Sequence, residues 1–171
     1  AEVLNTDSLI KLKNDLCKAK NLVYLTDNCG EIVLDKIFIM FLKKVYPQLN
    51  ITAVVRGGDT LNDATLVDAE NIGLDKVVNV VANGTSIPGT DMAEISVEVK
   101  KALLEADIII SKGQGNFETM FGEGLNTYFM FLCKCEMFVE RFGLEQYSMV
   151  FLNEKDIFIN KKFLPTLDFL S

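Results

Sequence analysis

Four short hydrophobic runs in this sequence each end in a cluster of polar residues and glycines. The clusters occupy residues 26–31, 56–58, 83–86 and 111–116. Each run is rich in β-branched residues and is followed by a helical pattern, which is typical of a buried parallel strand. Because ligands of open α/β sheets bind outside the carboxyl ends of the strands, we expect the four clusters to meet at one edge. Their carboxylates, amides, arginine and lysine suit a metal ion beside a phosphate.

The first cluster contains the adjacent residues Asp27 and Asn28, at the predicted junction of a strand and a helix. A carboxylate and an amide oxygen are hard ligands suited to Mg²⁺ or Mn²⁺. The alternative is an ordinary Asp or Asn cap of the following helix. Cys29 stands where the haloacid-dehalogenase phosphatases have the second aspartate of their D-x-D motif, so the sequence argues against that family.

The second cluster, Arg56-Gly57-Gly58, can present a guanidinium and bare backbone N–H groups to phosphate oxygens. Asn62 and Asp63 follow at the predicted start of a helix. Asp63 could complete an oxygen-rich metal site with the first cluster, and Asp59 is a weaker candidate. An ordinary turn with a surface arginine, and capping of the helix by these residues, are the structural alternatives.

The fourth cluster places Lys112 at a strand end beside flexible glycine backbone, where a lysine can bind phosphate. The spacing does not match a Walker P-loop. Glu118 stands where the dinucleotide-binding G-x-G-x-x-G fingerprint needs its third glycine. A glycine-rich turn with a solvated lysine is the alternative, and Asn116 could serve only as a helix cap.

Composition limits the chemistry that these clusters can perform. The chain has 171 residues and a formal charge of −7, which argues against a general nucleic-acid binder. Histidine is absent, which excludes histidine bases and histidine metal ligands. The four cysteines form no C-x-x-C pair, and Cys133 and Cys135 lie in an apolar run that indicates buried thiols. No segment has the pattern of a membrane span or a signal peptide, and we expect a cytoplasmic protein.

The order of elements predicts a three-layer α/β/α sandwich, Rossmann-like, with a mostly parallel central sheet. Strands are predicted at 22–25, 51–55, 77–81, 107–111, 127–133 and 147–152. Helices are predicted at 6–20, 31–44, 63–71, 92–105 and 136–142, with a further short helix from about 116. Asn62 is the predicted N-cap of the third helix and Gly73 its stop. We expect residues 1–171 to form a single domain.

Three strings of this sequence are similar to a known family. They are YLTDNCGEIVLDK, VVRGGDTLNDATLVDAENIG and ISKGQGNFETM. In this order they resemble the damage-control phosphatases, formerly catalogued as domain of unknown function 89, in their stand-alone prokaryotic-type branch. The resemblance runs from about residue 20 to residue 150 and implies a Rossmann-like core.

The resemblance implies hydrolysis of small phosphometabolites, such as sugar phosphates or phosphopantetheine-type compounds, with a divalent metal: Mn²⁺, Ni²⁺, Co²⁺ or Mg²⁺. It places the metal on Asp27, Asn28 and Asp63 and the phosphate on Lys112, and all four would be catalytic. Residues that would line the substrate pocket are Arg56, Gly57, Gly58, Asn62, Asn116 and Glu118. The nucleophile would be either a water activated by the metal or a carboxylate such as Asp27, which would form an acyl phosphate.

The helical N-terminal region of the family is largely missing, so we expect residues 1–171 to be the C-terminal core of a longer architecture. Loss of that region would expose apolar surface and favour self-association, so the chain could form a homo-oligomer. No nucleic-acid or membrane partner is expected. Cys29 stands where relatives often have alanine or serine, and its thiol beside a metal could be oxidised.

Three other functions stay open from the sequence. One is a nucleotide-dependent enzyme on the same general fold, although no convincing glycine fingerprint follows the first strand. Another is a non-catalytic or truncated module that keeps the metal or phosphate site and has lost turnover. The third is a carboxyl methyltransferase, for which the glycines form no convincing cofactor loop.

Overall fold

The computed structural model describes residues 6–134 and 146–156, together with Glu136 and Val139. Its elements in chain order are α1 (Thr6–Leu16), β1 (Asn21–Leu25), α2 (Ile32–Val45), β2 (Asn50–Val55), α3 (Leu66–Asn71), β3 (Asn79–Ala82), α4 (Val97–Glu105), β4 (Ile108–Lys112), α5 (Gln114–Met120), β5 (Thr127–Leu132) and β6 (Met149–Asn153). The predicted alternation of strands and helices is confirmed. The prediction of a helix at 136–142, and that of a buried Cys135, fall mostly outside the described residues.

The described strands form one six-stranded sheet in the order β3-β2-β1-β4-β5-β6. The first five are mutually parallel, whereas β6 runs antiparallel to β5. In register, Leu25 lies between Val54 of β2 and Ser111 of β4. The strand order reverses between β1 and β4, so the loops that follow these two strands diverge. Such a switch point leaves a crevice in which open α/β sheets bind ligands.

Alternate side chains of the strands enter two separate hydrophobic cores, one on each face of the sheet. On one face, Leu22 and Tyr24 of β1 pack with buried residues of α1, α2 and α3. On the other face, Val23 and Leu25 pack with buried residues of α4 and α5. This is the period of two that a strand imposes on its side chains. The three-layer α/β/α sandwich is therefore confirmed.

The start of α3 differs from the prediction. Asn62 does not cap this helix, because the capping residue is Thr65, whose backbone N–H and hydroxyl both donate to Asp68 Oδ2 at 2.8 Å. This is a capping box, which satisfies backbone donors at a helix start. The predicted stop is confirmed, since Gly73 follows the last turn with a φ of +69°.

Three other helix boundaries were also predicted imperfectly. α1 ends at Leu16 rather than at residue 20, and α5 begins two residues before Asn116. α4 begins five residues later than predicted, because Ser96 caps it and accepts a hydrogen bond from the Val99 N–H at 3.3 Å. The residues before Ser96 form a turn instead of a helix.

Helix α2 is apolar on both its inner and its outer face. Ile32, Ile39 and Leu42 are buried against the sheet. Large apolar side chains also point outward; these are Val33, Leu34, Ile37, Met40, Phe41 and Val45. The outer face of α2 is therefore an exposed apolar surface. Within the described part of the chain, no helix combines the length and hydropathy that crossing a bilayer requires.

The two faces of α2 should respond differently to truncation. Ile39 is fully buried, so Ile39→Ala should lower the free energy of unfolding by about 2–5 kcal/mol through lost burial and a residual cavity. Ile37 is 59% exposed, and Ile37→Ala should change the free energy of unfolding by less than about 0.5 kcal/mol. Urea unfolding of both variants measures the difference. Equal midpoints would contradict the orientation of this helix.

Candidate active site

The loop after β2 folds back onto the segment that follows β1. Ala64 N–H donates to Asp27 O at 2.7 Å, and Cys29 N–H donates to Asn62 O at 2.8 Å. These bonds form an isolated antiparallel bridge between Asn28 and Asp63. Three predicted metal ligands, Asp27, Asn28 and Asp63, are therefore brought together by backbone hydrogen bonds between two separate loops.

Asp27 lies directly against the glycine that follows β4. A Cβ atom added to Gly113 would lie 2.1 Å from the Asp27 carboxyl carbon, and Gly113 has a φ of +85°. Both the close approach and this backbone conformation require glycine. The crevice between β1 and β4 therefore holds the Asp27 carboxylate beside the backbone of residues 112–113.

The carboxyl group of Asp27 lies in an environment that disfavours its negative charge. Burial, followed by repulsion from Asp63 and Glu31, raises its pKa to about 6. Arg56 and Lys112 act in the opposite direction on this pKa but do not compensate. A further positive charge beside these carboxylates would remove the conflict.

Arg56, which is predicted to line the substrate pocket, is buried beside Asp63. Its side chain is 3% exposed, and its Nε donates to Asp63 Oδ2 at 2.8 Å. One oxygen of Asp63 is therefore held by the guanidinium, which fixes the carboxylate at the edge of the site. Direct contact of Arg56 with a substrate stays a prediction.

Lys112 lies at the end of β4 and is bound by two acidic residues of the α2 region. Its Nζ is 2.8 Å from Glu31 Oε2 and 3.1 Å from Asp35 Oδ1. The Tyr24 hydroxyl donates to the same Asp35 oxygen at 2.7 Å. Burial alone would lower the pKa of Lys112, but Asp35 and Glu31 outweigh it and the pKa is raised. The lysine therefore keeps its charge at the edge of the site.

Sequence reasoning included Glu31 in the first cluster without giving it a role, and it missed Asp35. A signal for them exists in the sequence. They are four residues apart and so lie on one face of a helix, and Asp35 is an acidic residue in an otherwise strongly apolar run. Burial of Asp35, at 2% exposure, raises its pKa against the opposing effects of Lys112 and Tyr24.

The two glycines after Arg56 lie where the loops after β2 and β3 approach each other, and their contact with a substrate stays a prediction. Gly57 N–H donates to Thr85 O at 2.9 Å and to Asn83 Oδ1 at 2.8 Å, so the expectation of a bare N–H at this position is wrong. A Cβ at Gly57 would lie 2.5 Å from Thr85 N, and one at Gly58 would lie 2.3 Å from Ser86 Oγ. These glycines allow the loop after β3 to pack against the loop after β2.

Asn116 is fully buried and joins three segments of the edge. Its Nδ2 donates to Thr26 O at 2.9 Å and to Lys112 O at 2.7 Å, and its Oδ1 accepts from the Thr90 hydroxyl at 2.8 Å. It is not the cap of α5, because that position is occupied by Gly113. Asn116 therefore fixes the ends of β1 and β4 to each other, and its contact with a substrate stays a prediction.

The remaining candidates lie at the surface around the edge. Asn62, Asp59, Cys29 and Glu118 are all exposed. Glu118 Oε1 accepts a hydrogen bond from Gln114 Nε2 at 2.9 Å. The thiols of Cys17 and Cys29 are free and exposed, whereas Cys133 is buried as predicted. Contact of these exposed side chains with a ligand stays a prediction.

The side chains at this edge suit a divalent cation that takes only a few of its ligands from the protein. Asp27, Asn28 and Asp63 offer oxygen donors of the kind that Mg²⁺ and Mn²⁺ prefer. Across the described ranges, no group of three or more His, Cys, Asp or Glu side chains is arranged to hold a metal. The set therefore depends on the Asn28 amide as its third donor, and Asn28 Oδ1 also accepts a hydrogen bond from the Gly30 N–H at 2.7 Å. Two carboxylates completed by water and substrate phosphate are a common arrangement for Mg²⁺.

Comparison with known proteins identifies the family. A sequence profile for the damage-control phosphatase ARMT1-like domain matches residues 2–150. The chain belongs to this family. The resemblance seen in the three sequence strings is thereby confirmed.

Three archaeal relatives have similar sequences. An uncharacterised protein of Methanocaldococcus jannaschii is 37% identical, with 83% of this chain and 48% of the relative covered. A damage-control phosphatase of Pyrococcus horikoshii is 31% identical, with 89% and 53% covered. A damage-control phosphatase of Archaeoglobus fulgidus is 38% identical, with 75% and 44% covered. The chain spans about half the length of the curated relatives it matches.

A solved structure supports the same membership at the level of the fold. The crystal structure of a DUF89 family protein from Pyrococcus horikoshii superposes with a TM-score of 0.81 at 31% sequence identity. The match covers 85% of this chain and 51% of that one. The arrangement of strands and helices described above is therefore the arrangement of this family.

The contact between Gly113 and Asp27 generates a prediction about stability. Gly113→Ala should lower the free energy of unfolding by about 1–3 kcal/mol, because its backbone conformation is essentially limited to glycine and the new Cβ would displace Asp27. Gly115→Ala is the control, since its Cβ would meet ordinary contacts beginning at 3.4 Å. Denaturant unfolding should find Gly115→Ala as stable as the parent or slightly more so. Similar losses in both variants would contradict the described crevice.

Proposed function

We propose that this protein is a metal-dependent phosphatase that hydrolyses small phosphorylated metabolites. The observation that carries the proposal is the bridge between Asn28 and Asp63, which assembles oxygen donors beside Asp27 at the switch point of the sheet. Lys112 is the last residue of β4 and directly precedes Gly113, which lies against the Asp27 carboxyl group. A cation site and a phosphate-binding lysine at one crevice are the elements that phosphoryl transfer needs.

The charge balance of the site supports a role for a divalent cation. Four carboxylates, those of Asp27, Glu31, Asp35 and Asp63, surround the cationic side chains of Arg56 and Lys112. Two negative charges therefore lack a partner in the described site. A divalent cation would balance them, whereas a phosphate dianion without a cation would be repelled.

Each side chain has a role in the proposed reaction. Asp27, Asn28 and Asp63 would hold the cation, which would polarise a phosphoryl oxygen and neutralise charge in the transition state. Arg56 fixes Asp63 in place through its Nε. Lys112 would bind a second phosphoryl oxygen with its ammonium group. The attacking group is either a water molecule or the carboxylate of Asp27.

We further propose that the substrates are polar phosphate esters such as sugar phosphates or phosphopantetheine-type compounds. The exposed side chains of Asn62 and Glu118 could form hydrogen bonds with the hydroxyl or amide groups of such molecules. Two of the relatives are named damage-control phosphatases, which supports phosphate hydrolysis in general. Mn²⁺, Ni²⁺, Co²⁺ and Mg²⁺ are the candidate metals.

The proposal is tested by phosphate release from sugar phosphates and an aryl phosphate in the presence of each of the four metals. Release should require metal, and both Asp27→Ala and Asp63→Ala should reduce it to background, because the oxygen donors are lost. Asp75→Ala, which removes an exposed carboxylate far from the crevice, should retain parental activity.

A fully active Asp27→Ala protein would refute the assigned site. Absence of release with every metal, in protein shown to be folded, would refute the enzymatic function for this chain. If the metals still raised the melting temperature in that case, the protein would be a binding module that keeps the site without turnover. This outcome matters because the chain spans about half the length of its relatives.

Lys112 can be tested with an uncharged side chain of similar length. Lys112→Met should lower kcat/KM for phosphate esters by about 10²–10³-fold, since one donor to the developing charge is removed. Lys101→Met is the control, because Lys101 is exposed on α4 and pairs only loosely with Glu105 at 3.8 Å. Steady-state kinetics of both variants distinguish a specific loss from a general effect of charge. An unchanged kcat/KM in Lys112→Met would contradict the role of this lysine.

A further inference from the structure

The two carboxylates that bind Lys112 differ strongly in their surroundings. The side chain of Asp35 is 3% exposed and also accepts the Tyr24 hydroxyl, whereas that of Glu31 is 49% exposed. Within the described residues, Lys112 is the partner recorded for the Glu31 carboxylate. Glu31 is the capping residue of α2, but its side chain forms no capping hydrogen bond. One carboxylate is therefore anchored and the other is held by a single ion pair.

These surroundings decide which ion pair can be broken during ligand binding. An exposed ion pair contributes little to stability, because solvent screens it and ordering the side chains opposes it. Separating a buried pair is strongly unfavourable, because it leaves an uncompensated charge in the interior. The Glu31 carboxylate can therefore leave Lys112 with little loss, whereas Asp35 must remain bound to it.

We propose that Glu31 is a displaceable internal anion, which occupies the place on Lys112 that a phosphoryl oxygen takes when substrate binds. Asp35 and Glu31 engage two of the three donors of the ammonium group, and the negative charge of Glu31 repels an anion that approaches the third. When phosphate enters, Glu31 swings into solvent and Asp35, held by Tyr24, keeps the ammonium at the edge of the crevice. Asp35 is thus a positioning residue, and Glu31 sets the affinity of the site for phosphate.

This inference rests on the proposed function, because it takes the ligand of Lys112 to be a phosphoryl oxygen. It adds a specific consequence: the parent protein should bind phosphate more weakly than a variant in which Lys112 is not paired with Glu31. Removing the charge of Glu31 should strengthen binding, which is the opposite of what the loss of a substrate-binding or structural residue would do.

The test compares Glu31→Gln with Glu105→Gln in the intact chain. Both substitutions remove an exposed carboxylate that is paired with a lysine, but Glu105 lies on α4 and pairs with Lys101. The dissociation constant of inorganic phosphate is measured by calorimetry with Mg²⁺ present. Glu31→Gln should bind phosphate about two- to fivefold more tightly than the parent, which is the range that one exposed charge pair supplies. Glu105→Gln should bind it as the parent does.

The salt dependence of phosphate binding and the KM for a substrate provide two further readouts. The gain in Glu31→Gln should shrink at high ionic strength, because screening already weakens the competing charge. In steady-state kinetics the KM for an aryl phosphate should fall by a similar factor, while kcat changes less. A merely structural role of Glu31 would not lower KM.

The outcomes separate this inference from the proposed function. Unchanged or weaker phosphate binding in Glu31→Gln, alongside metal-dependent turnover by the parent, would overturn the inference and leave the phosphatase in place. Tighter phosphate binding without turnover by either protein would support the inference and overturn the enzymatic function. Absence of phosphate binding by both proteins would overturn the inference.

Discussion

The backbone bridge between Asn28 and Asp63 is the contact on which the rest of the site depends. It forces the chain after β2 to run back along the end of β1 before α3 begins. The residues spent on this return cannot also be helical, which is why α3 starts only at Leu66 and needs its own capping box at Thr65. In exchange, carboxylates from two distant loops share one crevice. Arg56, which directly follows β2, completes the arrangement because its Nε donates a hydrogen bond to Asp63.

Crowding of carboxylates at this edge is possible because the surrounding backbone is rigidly held. Asn116 ties the ends of β1 and β4 together, and Asn83 accepts hydrogen bonds from the loops after β2 and β3. Both amides are fully buried, and their hydrogen bonds satisfy backbone groups that the loops would otherwise bury without partners. The Asp27 carboxylate then fits against Gly113, where any side chain would collide with it. The site is thus built from buried amides and glycines as much as from its charged groups.

Much of this arrangement could be predicted from the sequence, because it follows from strand ends. The runs of β-branched residues predicted the strands, and parallel strands bring the residues after them to one edge. Asp27, Asn28 and Lys112 could therefore be placed near one another without knowledge of the tertiary structure. The family membership agrees with this placement, since the profile spans residues 2–150.

The features that could not be predicted all depend on contacts between distant segments. Asn62 looked like a helix cap because its residue type suits that role, but the chain there pairs with the segment after β1, and α3 begins only after Thr65. The N–H of Gly57 looked free for a ligand, and it is bound by the loop after β3. Asp35 looked like a helix residue, and only the fold reveals Lys112 beside it. Local pattern determines which elements form, whereas the partner of each polar group is decided by which loops meet.

The charge of the site favours entry of the cation before the phosphate in the proposed reaction. With four carboxylates around two cationic side chains, a phosphate dianion meets repulsion until a positive charge has entered. Burial and the neighbouring acids raise the pKa of Asp27 to about 6, because the carboxylates repel one another when no ligand is bound. A divalent cation would relieve that repulsion and neutralise the two excess negative charges at the crevice. In the proposed reaction, phosphate would then displace Glu31 from Lys112, so the acidic residues that attract the cation would also weaken the retention of the released phosphate.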